Sequence, residues 1–449
     1  MHTAGRLLEK RLRIEDLRRF SQSFNEDPKN ILALNAVTEN GIAAVALSRK
    51  EVDRLNFTFS DLIESPDASN QERSGRCWLF SGLSMLALEA MKKLNLGTFE
   101  LSEIYQMFWD KIEKANYFLE TIIETRREPL DGRLVSSLLS DPISDGGQWN
   151  MFVNLIKKYG VMPKTFMPET ANSSNSDPMN ALLASKLREY AKVLRDMTGA
   201  SENELREKKG ELVKEFYKLL CINLGVPPEK FYWEWRDKDN DFHRAGNITP
   251  IEFYSKYVGF KLDDFVSLIN APNKSFNKLY TIQYLGNVVG GEDVRYLNVD
   301  LKTMKKATVD MIKGRHAVWF GCDVAKMLQT EMGAMDLSIY DYESVYGTKF
   351  HIDKAARLEY GDSELTHAMV ITGVDLDENG NPRKWRVENS WGAAIGDQGY
   401  MSMMNEWFDQ YLFEVVVRKE YLSSELMKIL DTEPVILSFW DPMCSLARK

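Results

Sequence analysis

Gln71 and Cys77 lie six residues apart in Gln71-Glu72-Arg73-Ser74-Gly75-Arg76-Cys77-Trp78, and this pairing suits acyl-transfer chemistry. A polar loop rich in Gly, Ser and Pro ends at Cys77, where the apolar run CWLFSGLSMLALEAMKKL begins. That run is too long for an ordinary strand and reads as a buried helix starting close to Cys77. A thiol at a helix N-terminus feels the positive end of the helix dipole, and its own backbone N–H is an orphan donor. Both features favour a thiolate attacking a carbonyl and an oxyanion forming beside it. The Gln71 carboxamide, placed by the Ser74-Gly75 turn, would be a second oxyanion donor. A lone cysteine is more often a structural core thiol; the flanking Gln71 and Trp78 shift the reading towards chemistry.

A nucleophilic thiol needs a base. The chain has five histidines, and His367 opens the strand-like run HAMVITGV. The segment Glu378-Asn379-Gly380-Asn381-Pro382 is a strong turn signal, and beyond it KWRVENSW carries Asn389. Hairpin pairing would set Asn389 on the partner strand beside His367. Its carboxamide oxygen could accept from one ring nitrogen, which fixes the tautomer and leaves the other nitrogen for the thiol. A structural hydrogen bond would explain an isolated His–Asn pair equally well. Together with Gln71, Cys77 and Trp78, catalysis becomes the better reading.

The elements that must position these residues follow. Residues 1–65 read as a charged helical lead-in with an amphipathic IEDLRRFSQSF. Residues 66–430 form the catalytic domain, with a helical insertion at about 180–235. Within the insertion, Leu183, Leu187, Tyr190, Leu194 and Met197 make a helix stripe. Ser201 with Glu204 is a capping-box signature opening a second helix that carries Leu205, Leu212, Phe216 and Leu219. This hairpin is read either as a solvated two-helix excursion or as a subunit contact. After about residue 245, runs such as HAVWFGCDV are short, β-branched and aromatic, and read as strands. Helices first and sheet later predict an α+β fold.

The residues just named resemble the signature blocks of the papain superfamily: GRCW after Gln71, His367-Ala368, Asn389-Ser390-Trp391-Gly392 and Gly396-Asp397-Gln398-Gly399-Tyr400. The separation of Cys77 from His367, about twice that of a compact papain domain, resembles the bleomycin hydrolase/aminopeptidase C branch. LSEIYQMFWDKIEKANYFLE at 101–120, DGGQWNMFVNLIKKYGV at 145–161, VWFGCDV at 318–324 and FWDPM at 439–443 agree with that branch. The resemblance implies a papain-like fold, a helical half with an antiparallel β-barrel-like half. It implies Cys77 as nucleophile, His367 as base and acid, Asn389 as its orienter and Gln71 as oxyanion donor. It further implies an aminopeptidase acting on peptides, in some members also on bleomycin or homocysteine thiolactone, assembled as a homohexamer with sites facing an internal channel. A C-terminal arm at 431–449 would reach into the cleft and gate substrates through Leu446 and Ala447. An endopeptidase using the same residues, or a non-catalytic binding protein on the same fold, are the competing readings.

The tail departs from the family pattern. Where members commonly end Trp-Asp-Pro-Met-Gly-Ala-Leu-Ala, this chain has Trp440-Asp441-Pro442-Met443-Cys444-Ser445-Leu446-Ala447 followed by Arg448-Lys449. Two positive charges in the cleft would repel a substrate's amine, so trimming towards Ala447 is expected.

Composition bounds the rest. The 449 residues carry a net charge of −9 with no basic block, which speaks against nucleic acid. Apolar residues make up 44% of the chain, as in an ordinary folded protein, yet no run of 18 apolar residues or leader-like segment occurs. Cys77, Cys221, Cys322 and Cys444 are widely spaced, fitting reduced thiols in a cytoplasm. Cys221 and Cys322 read as structural. His316 and His351 lack ligand spacing, so no metal is expected, and Gly290-Gly291 lacks a nucleotide-binding context, so no cofactor is expected.

Overall fold

A computed structural model describes residues 11–448. The chain divides into two compact units: the part up to Leu55 together with Asp336–Ile352, and Asn56–Met335 together with the part from Asp353 onward.

In the first unit, α1 (Ile14–Glu26) leads into α2 (Pro28–Asn40). Asp27 caps α2 by accepting from the Lys29 N–H, and Pro28 stands where a missing N–H does no harm. Asp336–Ile352 returns to this unit through an antiparallel bridge between Leu47 and Tyr340, with the Ser48 N–H donating to Ile339 at 2.9 Å. Ile14, Leu17, Phe20 and Phe24 of α1 are all exposed.

The second unit carries the long helices α3 (Cys77–Leu94), α4 (Glu103–Glu124), α5 (Trp149–Tyr159), α6 (Asp177–Asp196) and α7 (Glu202–Leu224). Apolar residues dominate α3, which is buried along most of its length from Cys77 and Trp78 through Leu86 to Ala90, with Lys92 and Lys93 of the last turn exposed. Burying each large apolar side chain of this kind contributes about 1.5–3 kcal/mol. Gly82 lets α5 approach closely: a Cβ there would meet the Phe152 ring at 2.7 Å. The helix ends where Asn95 takes a left-handed conformation, with Lys92 and Lys93 at the negative end of the dipole.

Leu183, Leu187, Tyr190 and Leu194 of the insertion stripe are buried on α6, whereas Met197 falls just past the helix end and is half-buried; both α6 and α7 pack on α4. The chain itself therefore covers the apolar stripe. The Ser201–Glu204 capping box forms as expected, with N–H to side-chain distances of 3.3 and 2.8 Å. On α7 the buried face runs Leu205, Leu212, Phe216, Leu220; Leu219 is only half-buried. The stripe shifts by one because the 3.6-residue turn carries Leu220, not Leu219, back onto the Phe216 side.

One sheet forms the other layer. Its central strands are β1 (Phe265–Ile269), β2 (Tyr296–Asn298), β3 (Val318–Cys322), β4 (His367–Leu376), β5 (Pro382–Glu388), β6 (Tyr400–Met404) and β7 (Leu412–Arg418). They are arranged β2-β1-β7-β3-β4-β5-β6 and pair antiparallel, except for the parallel β1–β2 contact. The β4–β5 turn forms where the Asn-Gly signal lies: Asp377 accepts from the N–H groups of Asn379 and Asn381, and Gly380 has φ +80°. The architecture is the expected α+β one, with α3–α7 before the sheet's central strands in chain order.

Candidate active site

The start of α3 meets the start of β4. Cys77, the first residue of α3, is 3% exposed, and the Ala368 N–H at the head of β4 donates to its Sγ at 3.4 Å. The polar end of the buried helix therefore lies against β4, whose first residue is a histidine. Trp78 locks this corner: its indole N–H donates to the Asp145 carbonyl at 2.6 Å, and its own carbonyl accepts from Trp319 at 3.3 Å. Gly147 lies flat on the Trp78 ring, where any Cβ would collide with it.

His367 faces Cys322 across the β3–β4 ladder and is almost fully buried. Its Nε2 lies 2.9 Å from Asn389 Oδ1. The same Oδ1 accepts from the Ser390 N–H at 2.8 Å, and since an N–H can only donate, that contact fixes which end of the carboxamide is oxygen. His367 Nε2 must then be the protonated nitrogen, leaving Nδ1 to exchange a proton with a thiol or substrate. The Trp391 ring centroid sits 5.1 Å from the imidazole. Asn389 lies one residue beyond β5, not on a strand, because the ladder with β4 ends at Glu388. This frees its side chain to turn towards His367.

Gln71 is tied to the same corner. Its N–H donates to the Ser390 carbonyl at 2.9 Å, its Oε1 accepts from the Ser390 hydroxyl at 2.6 Å, and its Nε2 donates to the Ser74 carbonyl. The loop before α3 and the segment after β5 are thereby stitched together, bringing Gln71, Cys77, His367 and Asn389 into one cluster.

Three features had escaped sequence reasoning. Asp145 carries a buried carboxylate that pairs with Lys111 at 2.7 Å and accepts from the Gly75 N–H at 3.1 Å and from the Ser176 hydroxyl. Burial opposes its ionisation, yet Lys111 and these hydrogen bonds hold the carboxyl well below its usual range. Arg76, 1% exposed and adjacent to Cys77, pairs with Glu169 through two contacts of 2.9 Å. Ser390 bridges Asn389 and Gln71. Asp145 and Arg76 lie within blocks that carry the family resemblance, but nothing in the residues themselves assigns either one a partner.

Residues 435–446, near the end of the chain, dock on segments that adjoin this cluster in sequence. After a short strand, Val435–Leu437, Trp440 stacks under the Arg133 guanidinium at 4.0 Å and Asp441 pairs with Lys274 at 3.1 Å. The Met443 carbonyl accepts from Gln148 Nε2 and from the Tyr296 hydroxyl, each at 3.2 Å. Ser445 donates to Glu364 at 2.7 Å. The tail thus touches Gln148, next to the Gly147 that lies on Trp78, and Glu364, three residues ahead of His367. Leu446 is fully buried; the side chain of Ala447 and the whole of Lys449 fall outside the described residues.

Glu414 of β7 is fully buried, with its Cα opposite Gly321. Burial pushes its carboxyl up from 4.5 to about 8, against a smaller pull from the Ser267 hydroxyl. A carboxyl whose pKa is higher folded than unfolded binds more protons when folded, so its contribution to stability falls as pH rises from about 4.5 to about 8. Glu414→Gln removes that titration. Thermal unfolding should therefore show the variant gaining on the parent chain from pH 5 to pH 8.5; parallel curves would contradict this account.

Among the described residues, no group of three or more His, Cys, Asp or Glu side chains could hold a metal ion, and no helix is long and apolar enough to cross a membrane.

A thiol at a helix start, an imidazole fixed by a carboxamide and a nearby second amide together define a cysteine-type peptidase, and comparison with known proteins agrees. The Peptidase C1-like family profile matches residues 11–444. The chain is 44% identical over 442 residues to aminopeptidase C of Listeria monocytogenes, covering 98% of this chain and 100% of that one. It is 43% identical over 439 residues to human bleomycin hydrolase, covering 95% and 96%. A crystal structure of pepw from Lactobacillus rhamnosis superposes with a TM-score of 0.95 at 43% identity, covering 96% of this chain and 98% of that one. The chain belongs to the Peptidase C1-like family, alongside these aminopeptidase C and bleomycin hydrolase relatives.

Proposed function

We propose that the protein is a cysteine aminopeptidase that releases N-terminal residues from peptides, with Cys77, His367, Asn389 and Gln71 as its catalytic groups. The observation that carries this is the His367–Asn389 contact of 2.9 Å on the strand whose next N–H meets Cys77 Sγ. His367 Nδ1 takes the thiol proton as Sγ attacks the scissile carbonyl. The Cys77 N–H and the Gln71 carboxamide receive the oxyanion. Collapse breaks the C–N bond, and His367 returns the proton to the leaving amine. Water, deprotonated by His367, then attacks the thioester, releasing the acid and restoring the thiol. The same steps cleave an amide of the bleomycin type.

Exopeptidase action follows from the tail. A carboxylate at Ala447 would attract a substrate's ammonium group in a partly desolvated cleft and block chains extending further. The docking contacts of Asp441, Met443 and Ser445 support a tail that stays in place. Arg448 and Lys449 would oppose the attraction, so trimming is part of the proposal. Intact mass should show their loss in active enzyme but not in Cys77→Ala. Deleting residues 444–449 should lower cleavage of free-amine dipeptide substrates and raise cleavage of N-blocked ones. A truncated enzyme that still demands a free amine would eliminate the tail as gate, and one that never demanded it would favour an endopeptidase.

The proposal includes a homohexamer in the cytoplasm. The exposed stripe Ile14, Leu17, Phe20, Phe24 supports burial of α1 in an assembly, and the absence of any disulfide among the four cysteines suits a reducing compartment. Native mass determination tests the assembly.

A further inference from the structure

The residue before the nucleophile is a buried cation, and the chemistry above leaves it unused. A guanidinium 1% exposed is tolerated only when its donors are satisfied. Arg76 satisfies them in a particular direction: Nη1 and Nη2 donate to the two oxygens of Glu169, Nη2 also to the Ser173 carbonyl at 2.9 Å, and Nε to the Ser74 hydroxyl oxygen at 2.9 Å. Burial would raise the Glu169 carboxyl, yet the Arg76 guanidinium holds it below its usual range, so the pair is ionised.

Ser74 is the junction. Its carbonyl accepts from the Gln71 side-chain amide, while its hydroxyl donates to the Gln71 main-chain carbonyl at 2.7 Å. Both ends of Gln71 thus hang on Ser74. With its proton committed to Gln71, the Ser74 hydroxyl has its lone pairs left for Arg76, so Nε fixes the rotor. The loop needs such a tie, because Glu72 within it holds φ +52°, a left-handed conformation that costs a non-glycine residue free energy. Glu169 precedes the 173–176 segment, which pairs with Arg73 of the same loop, so the clamp ties the loop to a neighbouring segment.

We propose that Arg76, clamped by Glu169, is a positioning residue that sets the Gln71 carboxamide for the oxyanion through the Ser74 hydroxyl. The proposal rests on the reading of Gln71 as oxyanion donor. Its planar fork matters more than its charge: a lysine can pair with Glu169 but cannot also direct a fixed N–H at Ser74.

The test uses full-length Arg76→Lys, Ser74→Ala and Gln71→Ala, singly and combined. Hydrolysis of a free-amine dipeptide substrate is compared with the rate at which iodoacetamide alkylates Cys77. Alkylation displaces iodide at a saturated carbon and forms no oxyanion, so it reports the thiol alone. Arg76→Lys and Ser74→Ala should each lower kcat by roughly tenfold to a hundredfold, the scale of a slightly misplaced group, with KM and alkylation unchanged. Gln71→Ala should lower kcat by about 10²–10³, and neither partner variant should add to that loss. Additive losses, alkylation falling in step with hydrolysis, or an undiminished kcat would each overturn the proposal. Should Arg76→Lys fail to fold, Ser74→Ala makes the same cut without touching the ion pair, and its kcat decides. A near-neutral Gln71→Ala would instead remove the oxyanion reading itself, and the positioning role with it.

Discussion

Cys77→Ala is expected to abolish peptide hydrolysis, a loss on the order of 10⁶-fold in kcat, as for removal of a nucleophile from other hydrolytic triads. Without the sulfur there is no thioester, and His367 has no nucleophile to activate. The fold should survive, because the change removes one atom from a buried helix start whose packing rests on Trp78, Asp145 and Gly147. Labelling distinguishes this thiol from the others. Burial pushes the Cys322 thiol well above its ordinary range, and Cys444 is buried against the Phe439 carbonyl, so neither should react rapidly. Fast alkylation should map to Cys77 in the parent chain and vanish in the variant. Retained hydrolysis, or fast labelling at Cys221, Cys322 or Cys444, would sink the assignment.

His367→Ala should be nearly as damaging, because thiol and imidazole act as one unit and their losses do not add. Combining it with Cys77→Ala should lower kcat little beyond either single change. Asn389→Ala should be milder, since it removes the acceptor that fixes the Nε2 tautomer but leaves the ring to move protons. It has a second consequence: the Ser390 N–H loses its acceptor, and Ser390 supports Gln71 through its hydroxyl. Asn389→Ala should therefore fall between His367→Ala and a pure orientation defect. Steady-state kcat measured with the native fold verified by circular dichroism checks the ranking. Equal and small losses for His367 and Asn389 would rule out the mechanism.

The residue types for this chemistry, and the elements carrying them, were legible in the sequence because their signals are local. The helix from Cys77 follows from an unbroken apolar run after a polar loop, and the β4–β5 turn from Asn-Gly between two β-branched segments. The α6–α7 hairpin follows from helical spacing and the Ser201–Glu204 cap. Where periodicity was read one position off, at Leu219, the error was local as well. The family pattern in GRCW, His367-Ala368 and Asn389-Ser390-Trp391-Gly392 supplied the order of the groups.

What the sequence could not announce is everything that joins distant segments. Nothing in the sequence of Asp336–Ile352 foretells its grouping with the N-terminal helices. Arg76 and Glu169 are 93 residues apart and Gln71 and Ser390 are 319 apart, and no local signal pairs either couple. The physical reason is that a buried charge or amide tolerates burial only once a partner is delivered to it, and delivery depends on how α3, α4 and the sheet pack. Apolar spacing and caps determine which segments become helix or strand. The desolvated interior formed when those segments pack decides which polar groups must meet, and so how Gln71, Cys77 and His367 are held.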